Sequence, residues 1–179
     1  MKVRFLKENM ARFLEVIKLI SHTFEAGNKV FFFGNGGSAA DAQHIAAEFV
    51  NRYIMDRPPL PAIALTTDTS ILTSIANDIA FTEIFSRQIK ALGKEGDVAF
   101  GISTSGNSSN VIKAFEVAKE MGIKSVALTG NEGGALTKIA DISLTVSSTS
   151  TPRIQETHIL VGHLLCEMVE HQLFFKISP

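Results

Sequence analysis

The chain has 179 residues, 45% hydrophobic and 20% charged, which suits one compact domain with a real core and leaves little room for a second. Seventeen basic residues against eighteen acidic ones give a formal charge of -1, which excludes a global field that would recruit nucleic acid or an anionic membrane surface. The lone cysteine, Cys166, excludes an intrachain disulfide and a multi-cysteine zinc cluster, and it suits a reducing, cytoplasmic setting.

From the N-terminus, Lys2, Arg4, Lys7, Glu8, Arg12 and Glu15 interleave with apolar residues, the pattern of an amphipathic helix rather than of a signal sequence or a membrane span. Phe5, Met10, Phe13, Leu14, Ile17 and Ile20 fall near helical spacing. This helix, over about residues 1–25, is expected to serve in packing against the chain's own core or in oligomerisation. A mean hydropathy of +0.19 favours oligomerisation, because a short chain has limited interior in which to hide apolar surface.

Short apolar runs follow at Lys29 to Phe33, Ala62 to Leu65, Val98 to Ile102, Ser125 to Thr129 and Ile142 to Val146, and they read as buried strands. Between them lie segments of helical period at Ser38 to Arg52, Asp68 to Asn77, Phe81 to Leu92, Ser108 to Met121 and Arg153 to His171. Arg57-Pro58-Pro59-Leu60-Pro61 forms a stiff connector. The alternation predicts an α/β fold, a doubly wound (Rossmann-like) five-stranded parallel sheet flanked by helices.

In such sheets ligands sit beyond the carboxyl ends of the strands. Two strand-to-helix loops lie there: Gly34-Asn35-Gly36-Gly37-Ser38, in which Ser38 can cap the helix, and Ser103-Thr104-Ser105-Gly106-Asn107-Ser108. The second loop offers the hydroxyls of Ser103, Thr104, Ser105 and Ser108 beside a helix N-terminus, which suits a phosphate group. Neither a Walker lysine nor a GxGxxG spacing is present, so nucleotide binding through those motifs is unsupported. His44 and Glu48, four residues apart, project from one helix face and suit joint action on one ligand or metal. The last helix adds Gln155, Glu156, His158 and His163, whereas His22 and His171 have no evident partner. Ala39, Ala40, Ala42, Ala46 and Ala47 give the His44 helix a small-residue surface that another backbone could approach.

The segments GNGGSAADAQHIAAE, LTTDTSILTSIAND, ISTSGNSSN and TPRIQETHILVGH resemble the SIS (sugar isomerase) domain family, and within it the phosphoheptose isomerases, over nearly the whole chain. The resemblance implies a single SIS domain over residues 1–179. It implies a cytoplasmic homotetramer with sites at subunit interfaces. The implied reaction converts sedoheptulose 7-phosphate to D-glycero-D-manno-heptose 7-phosphate through an enediol, the first step toward the ADP-heptose or GDP-heptose precursors of bacterial surface polysaccharide. On the same ground the substrate-binding positions are Asn35, Gly36, Gly37, Ser38, Glu48, Asn77, Asp78, Ser103, Thr104, Ser105, Ser108 and Gln155. Glu48 is the implied base and His163 the implied acid. One Zn2+ per subunit is implied on His44, Glu48, Gln155 and His163, with no organic cofactor. A Glu48 bound to zinc is a weaker base, so its two roles compete.

Gln155 and His163 are eight residues apart, about 12 Å along a helix axis. The expectation is therefore that they reach one metal ion from different subunits, although His158 is nearer to Gln155 by spacing and is read as a packing or interface residue. The alternative within the fold is a non-catalytic SIS-domain scaffold binding the replication initiator. The joint presence of His44, Glu48, Gln155 and His163 argues against it, because a scaffold needs no acid–base set.

Overall fold

The computed structural model describes residues 1–175. Five strands, β1 (Val30–Gly34), β2 (Ala62–Ala64), β3 (Val98–Ser103), β4 (Lys124–Gly130) and β5 (Ile142–Val146), form one parallel sheet in the order β2-β1-β3-β4-β5. The helices are α1 (Lys2–Glu25), α2 (Gly37–Val50), α3 (Thr69–Asp78), α4 (Ser86–Leu92), α5 (Ser109–Glu120), α6 (Leu136–Ile139) and α7 (Thr151–Phe174).

The run Phe31-Phe32-Phe33 explains why the sheet is covered on both sides. Successive strand residues point to opposite faces, so consecutive phenylalanines demand two apolar layers. Phe32 meets Phe49 of α2 and Phe100 of β3 in the layer closed by α1, α2 and α7. Phe33 packs on Phe85 and Phe115 in the layer closed by α4 and α5, its ring centroid 5.2 Å from that of Phe85. The expected doubly wound sheet is the one observed.

Two local expectations are corrected. The helix expected over Phe81 to Leu92 is a 3-10 turn (Phe81–Glu83) followed by α4; at the break the Ser86 hydroxyl donates to the Glu83 carbonyl at 3.0 Å, a side-chain bond that competes with the helical ladder. Ser38 does not cap α2. The cap position belongs to Gly36, whose φ of +56° favours glycine, and Ser38 is buried in the first turn with its N–H bonded to the Asn35 carbonyl at 3.0 Å. Met10 and Leu14 lie on the exposed side of α1; its inner face is Phe5, Asn9, Phe13, Val16, Ile17, Ile20 and Phe24. The polar Asn9 belongs inside because it pairs with the edge of β5, donating to the Thr145 carbonyl and accepting from the Thr145 N–H, both at 3.3 Å. The short helix α6 carries no periodic signal long enough to have been expected.

The connections leave β1 toward β2 on one side and β3 toward β4 on the other, so the carboxyl ends of β1 and β3 flank the point where strand order reverses. Gly34 ends β1 there. A Cβ at Gly34 would lie 2.6 Å from the Ile102 carbonyl oxygen and 2.8 Å from Ser38 Cβ. Gly34→Ala is therefore expected to destabilise the fold by about 1–3 kcal/mol, read as a lower melting temperature; a variant that melts with wild type would show that β1 and β3 tolerate separation there.

Candidate active site

The two loops nominated from sequence meet at this switch point. Asn35, after β1, and Asn110, in the first turn of α5, exchange amide hydrogen bonds of 2.9 and 2.8 Å. Asn110 is only 1% exposed, so the pair joins the loops through a largely dry contact. Within the second loop the buried Ser103 hydroxyl is the hub: it accepts the Gly106 N–H at 3.2 Å and lies 2.9 Å from the Ser108 hydroxyl and 3.4 Å from that of Ser105. Gly106 has φ +67°, and a Cβ there would run into the Gly133 carbonyl. Asn107 fastens the loop to the next segment by accepting the Ala135 N–H at 2.9 Å. Thr104 and Ser108 remain half-buried and Ser105 exposed, and α5 has no side-chain cap, so hydroxyls and leading N–H groups stay available to an anion. A cavity of about 770 Å3 opens beside the loop, lined in part by Ser105, Asn107, Asn131, Glu132, Ser147 and Ser148.

A second group lies between α2 and α7. His44 Nε2 is 2.9 Å from His163 Nε2 and 3.3 Å from Glu48 Oε1, and the donor atoms of all three residues lie within 4.8 Å of one another. Two imidazole nitrogens cannot face each other with both lone pairs, so one carries a proton or a cation lies between them. Two nitrogens and a carboxylate oxygen with an open side suit a zinc ion. The three residues thus fit the metal that the sequence resemblance implies. Gln155 sits two turns earlier on α7, its amide against Gly37, where a Cβ would collide with it. Within one chain the geometry joins His163 to His44 and Glu48, while Gln155 lies at the start of α2. Asn77 and Asp78, at the exposed end of α3, bond to each other at 2.8 Å and lie outside both groups.

Several residues of this region escaped the sequence reading. Asp41 shares the α2 face with Gly37 and His44; burial raises its pKa to about 6, opposed by His44, and its Oδ2 has no hydrogen-bond partner among the described residues. Its helical spacing from His44 was the available signal. Tyr53, on the segment after α2, stacks on His163 with ring centroids 5.7 Å apart and planes at 28°. Burial, with the charges of Glu167, Cys166, Glu48 and Glu170 adding to it, raises the Tyr53 pKa and keeps the phenol protonated. The Ala-rich surface of α2 is divided: Ala42 and Ala46 enter the core, whereas Ala40 and Ala47 face out. His158 is fully buried against the Thr129 carbonyl at 3.0 Å, and burial lowers its pKa to about 4 despite that bond, so it packs as a neutral ring. Burial likewise pushes the Cys166 thiol up, which removes it as a thiolate ligand or nucleophile.

A family model of the SIS domain matches residues 2–130. Phosphoheptose isomerase of Thermodesulfovibrio yellowstonii is 56% identical over 173 residues, covering 97% of this chain and 86% of that protein. The chain belongs to the phosphoheptose isomerase family of SIS domain proteins. Solved structures agree with this SIS fold throughout. Phosphoheptose isomerase GmhA from Neisseria gonorrhoeae superposes with a TM-score of 0.87 at 43% identity, covering 94% of this chain and 92% of that one. The phosphoheptose isomerase from Francisella tularensis gives 0.89 at 38% identity, with 95% and 93% covered.

Both parts of this SIS domain site rest on polar contacts that stability measurements can probe. Asn35→Ala leaves the buried Asn110 amide unpaired and is expected to cost about 1–3 kcal/mol in denaturant unfolding; no change would mean that the loops are not coupled through this pair. Glu170 supports the other part. Its carboxylate, 1% exposed, pairs with the equally buried Arg57 at 2.8 Å. Burial alone would raise its pKa, but the N–H groups of Ile54, Tyr53 and Met55, together with Arg57, hold it below its ordinary value of 4.5. The resulting stabilisation is fully present above that ordinary value and is lost as pH falls through the lower folded value. Glu170→Gln is expected to lower stability at neutral pH by about 3–5 kcal/mol and to flatten its pH dependence below pH 4.5, measured by urea unfolding across pH; an unchanged acid slope would contradict this.

Proposed function

We propose that the chain is an aldose–ketose isomerase that converts sedoheptulose 7-phosphate to D-glycero-D-manno-heptose 7-phosphate, working as a single SIS domain. The observation that carries the reading is the meeting of the Glu48 carboxylate and the His163 imidazole at His44 Nε2, at 3.3 and 2.9 Å, in a chain 56% identical to a phosphoheptose isomerase. Isomerisation moves one proton between C1 and C2 and another between their oxygens, so it needs a base and an acid in one place. Glu48 transfers the carbon-bound proton through an enediol. His163 serves the oxygens. Thr104, Ser105 and Ser108, on the loop organised by Ser103, hold the phosphate with the leading N–H groups of α5, which fixes the far end of the sugar and limits the freedom of C1 and C2. Asn35, Gly36, Gly37, Ser38, Asn77, Asp78 and Gln155 complete the substrate contacts.

His44, Glu48 and His163, with Gln155, would hold a zinc ion, which when bound supplies a Lewis acid for the carbonyl oxygen. A homotetramer with sites at its interfaces accounts for two features. Helix α3, which carries Asn77 and Asp78, has no buried residue in the isolated chain, and α1 exposes Val3, Met10 and Leu14. A partner surface at these places would bring the dispersed substrate groups together, and would allow Gln155 and His163 to act from different subunits. No helix among the described residues is long and apolar enough to cross a membrane, which accords with a cytoplasmic enzyme of surface-polysaccharide precursor synthesis.

Purified protein incubated with sedoheptulose 7-phosphate is expected to form heptose 7-phosphate. Glu48→Gln and His163→Ala are each expected to lower kcat by about 100-fold or more while leaving the far-ultraviolet circular dichroism unchanged. Wild-type rates in either variant would remove that residue from the chemistry. Treatment with a chelator is expected to lower turnover, with recovery on adding zinc; full activity after verified metal removal would reject the metal.

A further inference from the structure

Glu170 and His163 lie on one face of α7, seven residues or about two turns apart. Glu170 accepts the backbone N–H groups of Tyr53, Ile54 and Met55 at 2.9, 3.0 and 3.1 Å and the Arg57 Nε–H at 2.8 Å. Arg57 also donates to the carbonyls of Glu48 and Phe49, at 2.9 and 2.8 Å. One buried ion pair therefore fixes the end of α2 that carries Glu48 and the backbone from which Tyr53 projects. The backbone bond to Glu170 could be made by any residue but proline. The Tyr53 ring is what distinguishes this position, and it lies on the imidazole of His163.

We propose that Tyr53 is a positioning residue for His163, its ring setting the plane of the imidazole within the His44, Glu48 and His163 cluster. The proposal rests on the assignment of His163 to the chemistry made above. The terminal torsion of histidine is broad, so a single contact at Nε2 leaves the ring free to swing about it. A flat side chain along one face removes that freedom. The arrangement is closed on itself: α7 supplies His163 and Glu170, Glu170 holds Tyr53, and Tyr53 returns to His163. Misplacing an acid or base by about 1 Å costs on the order of 100-fold in rate, so loss of the ring is a kinetic defect more than a binding one.

The test compares Tyr53→Phe, which keeps a flat ring, with Tyr53→Leu, which keeps apolar bulk without one. Tyr53→Phe is expected within about twofold of wild-type kcat, and Tyr53→Leu about 10- to 100-fold lower with KM within about twofold. The melting temperatures of the two variants are expected to match. A second readout needs no turnover: the Cε1 proton of His163, assigned by its loss in His163→Ala, should shift when the stacked ring is removed in Tyr53→Leu and stay in place in Tyr53→Phe. Wild-type kcat in Tyr53→Leu, an equal loss in Tyr53→Phe, or an unmoved His163 resonance would each overturn the proposal. Retention of wild-type turnover by His163→Ala would overturn the assignment beneath it and the proposal with it.

Discussion

The pairing of β1 with β3 is the constraint on which the site depends. These strands are neighbours in space but separated in sequence by α2, β2 and the helices after it, and their chain continues in opposite directions across the sheet. A parallel ladder with that reversal leaves a crevice that no crossover helix fills. The loops after both strands open into it, and the Asn35–Asn110 amide pair joins their rims. Glycines at 34 and 106 admit backbone where a side chain would collide. Loop chemistry is thus set by sheet topology, not by the loops alone.

The second part of the site follows from helix direction. Both α2 and α7 start at the carboxyl edge of the sheet and run alongside each other, so that Gly37 meets Gln155 and Ile45 meets Gly162. That parallel register brings His44 to His163. Gly162 leaves room for this contact, since a Cβ there would lie 2.6 Å from Ile45 Cδ1 and push that side chain aside. In this register Gln155 stands by the beginning of α2 and His163 by its third turn.

The fold is legible because short apolar runs such as Phe31 to Phe33, bounded by turn residues, suit strands buried on both faces, and because helical segments separate them. The bounds of β5, residues 142–146, are legible in its apolar run, whereas the break before α4 turns on single side-chain bonds that leave no periodic signature. The polarity of Asn9 likewise disguises an inward position that only the neighbouring strand edge explains. In the candidate site, types and spacing pointed to His44 with Glu48 and to the hydroxyl loop. Tyr53 and Glu170 were invisible, because their meaning comes from a contact across more than a hundred residues and from backbone groups that any sequence carries.

The same Asn9 has a bearing on how copies of this chain can assemble. A parallel sheet ending at β5 would ordinarily offer its outer N–H and C=O groups to a strand from another molecule. Here α1 lies over that border, with Asn9 occupying both groups of Thr145 and Arg12 reaching the Ser143 carbonyl at 3.4 Å. The opposite border, β2, is three residues long. Strand addition is obstructed at Thr145 on one border and starved of length at the other, so neither edge of the sheet favours open-ended growth into a fibre.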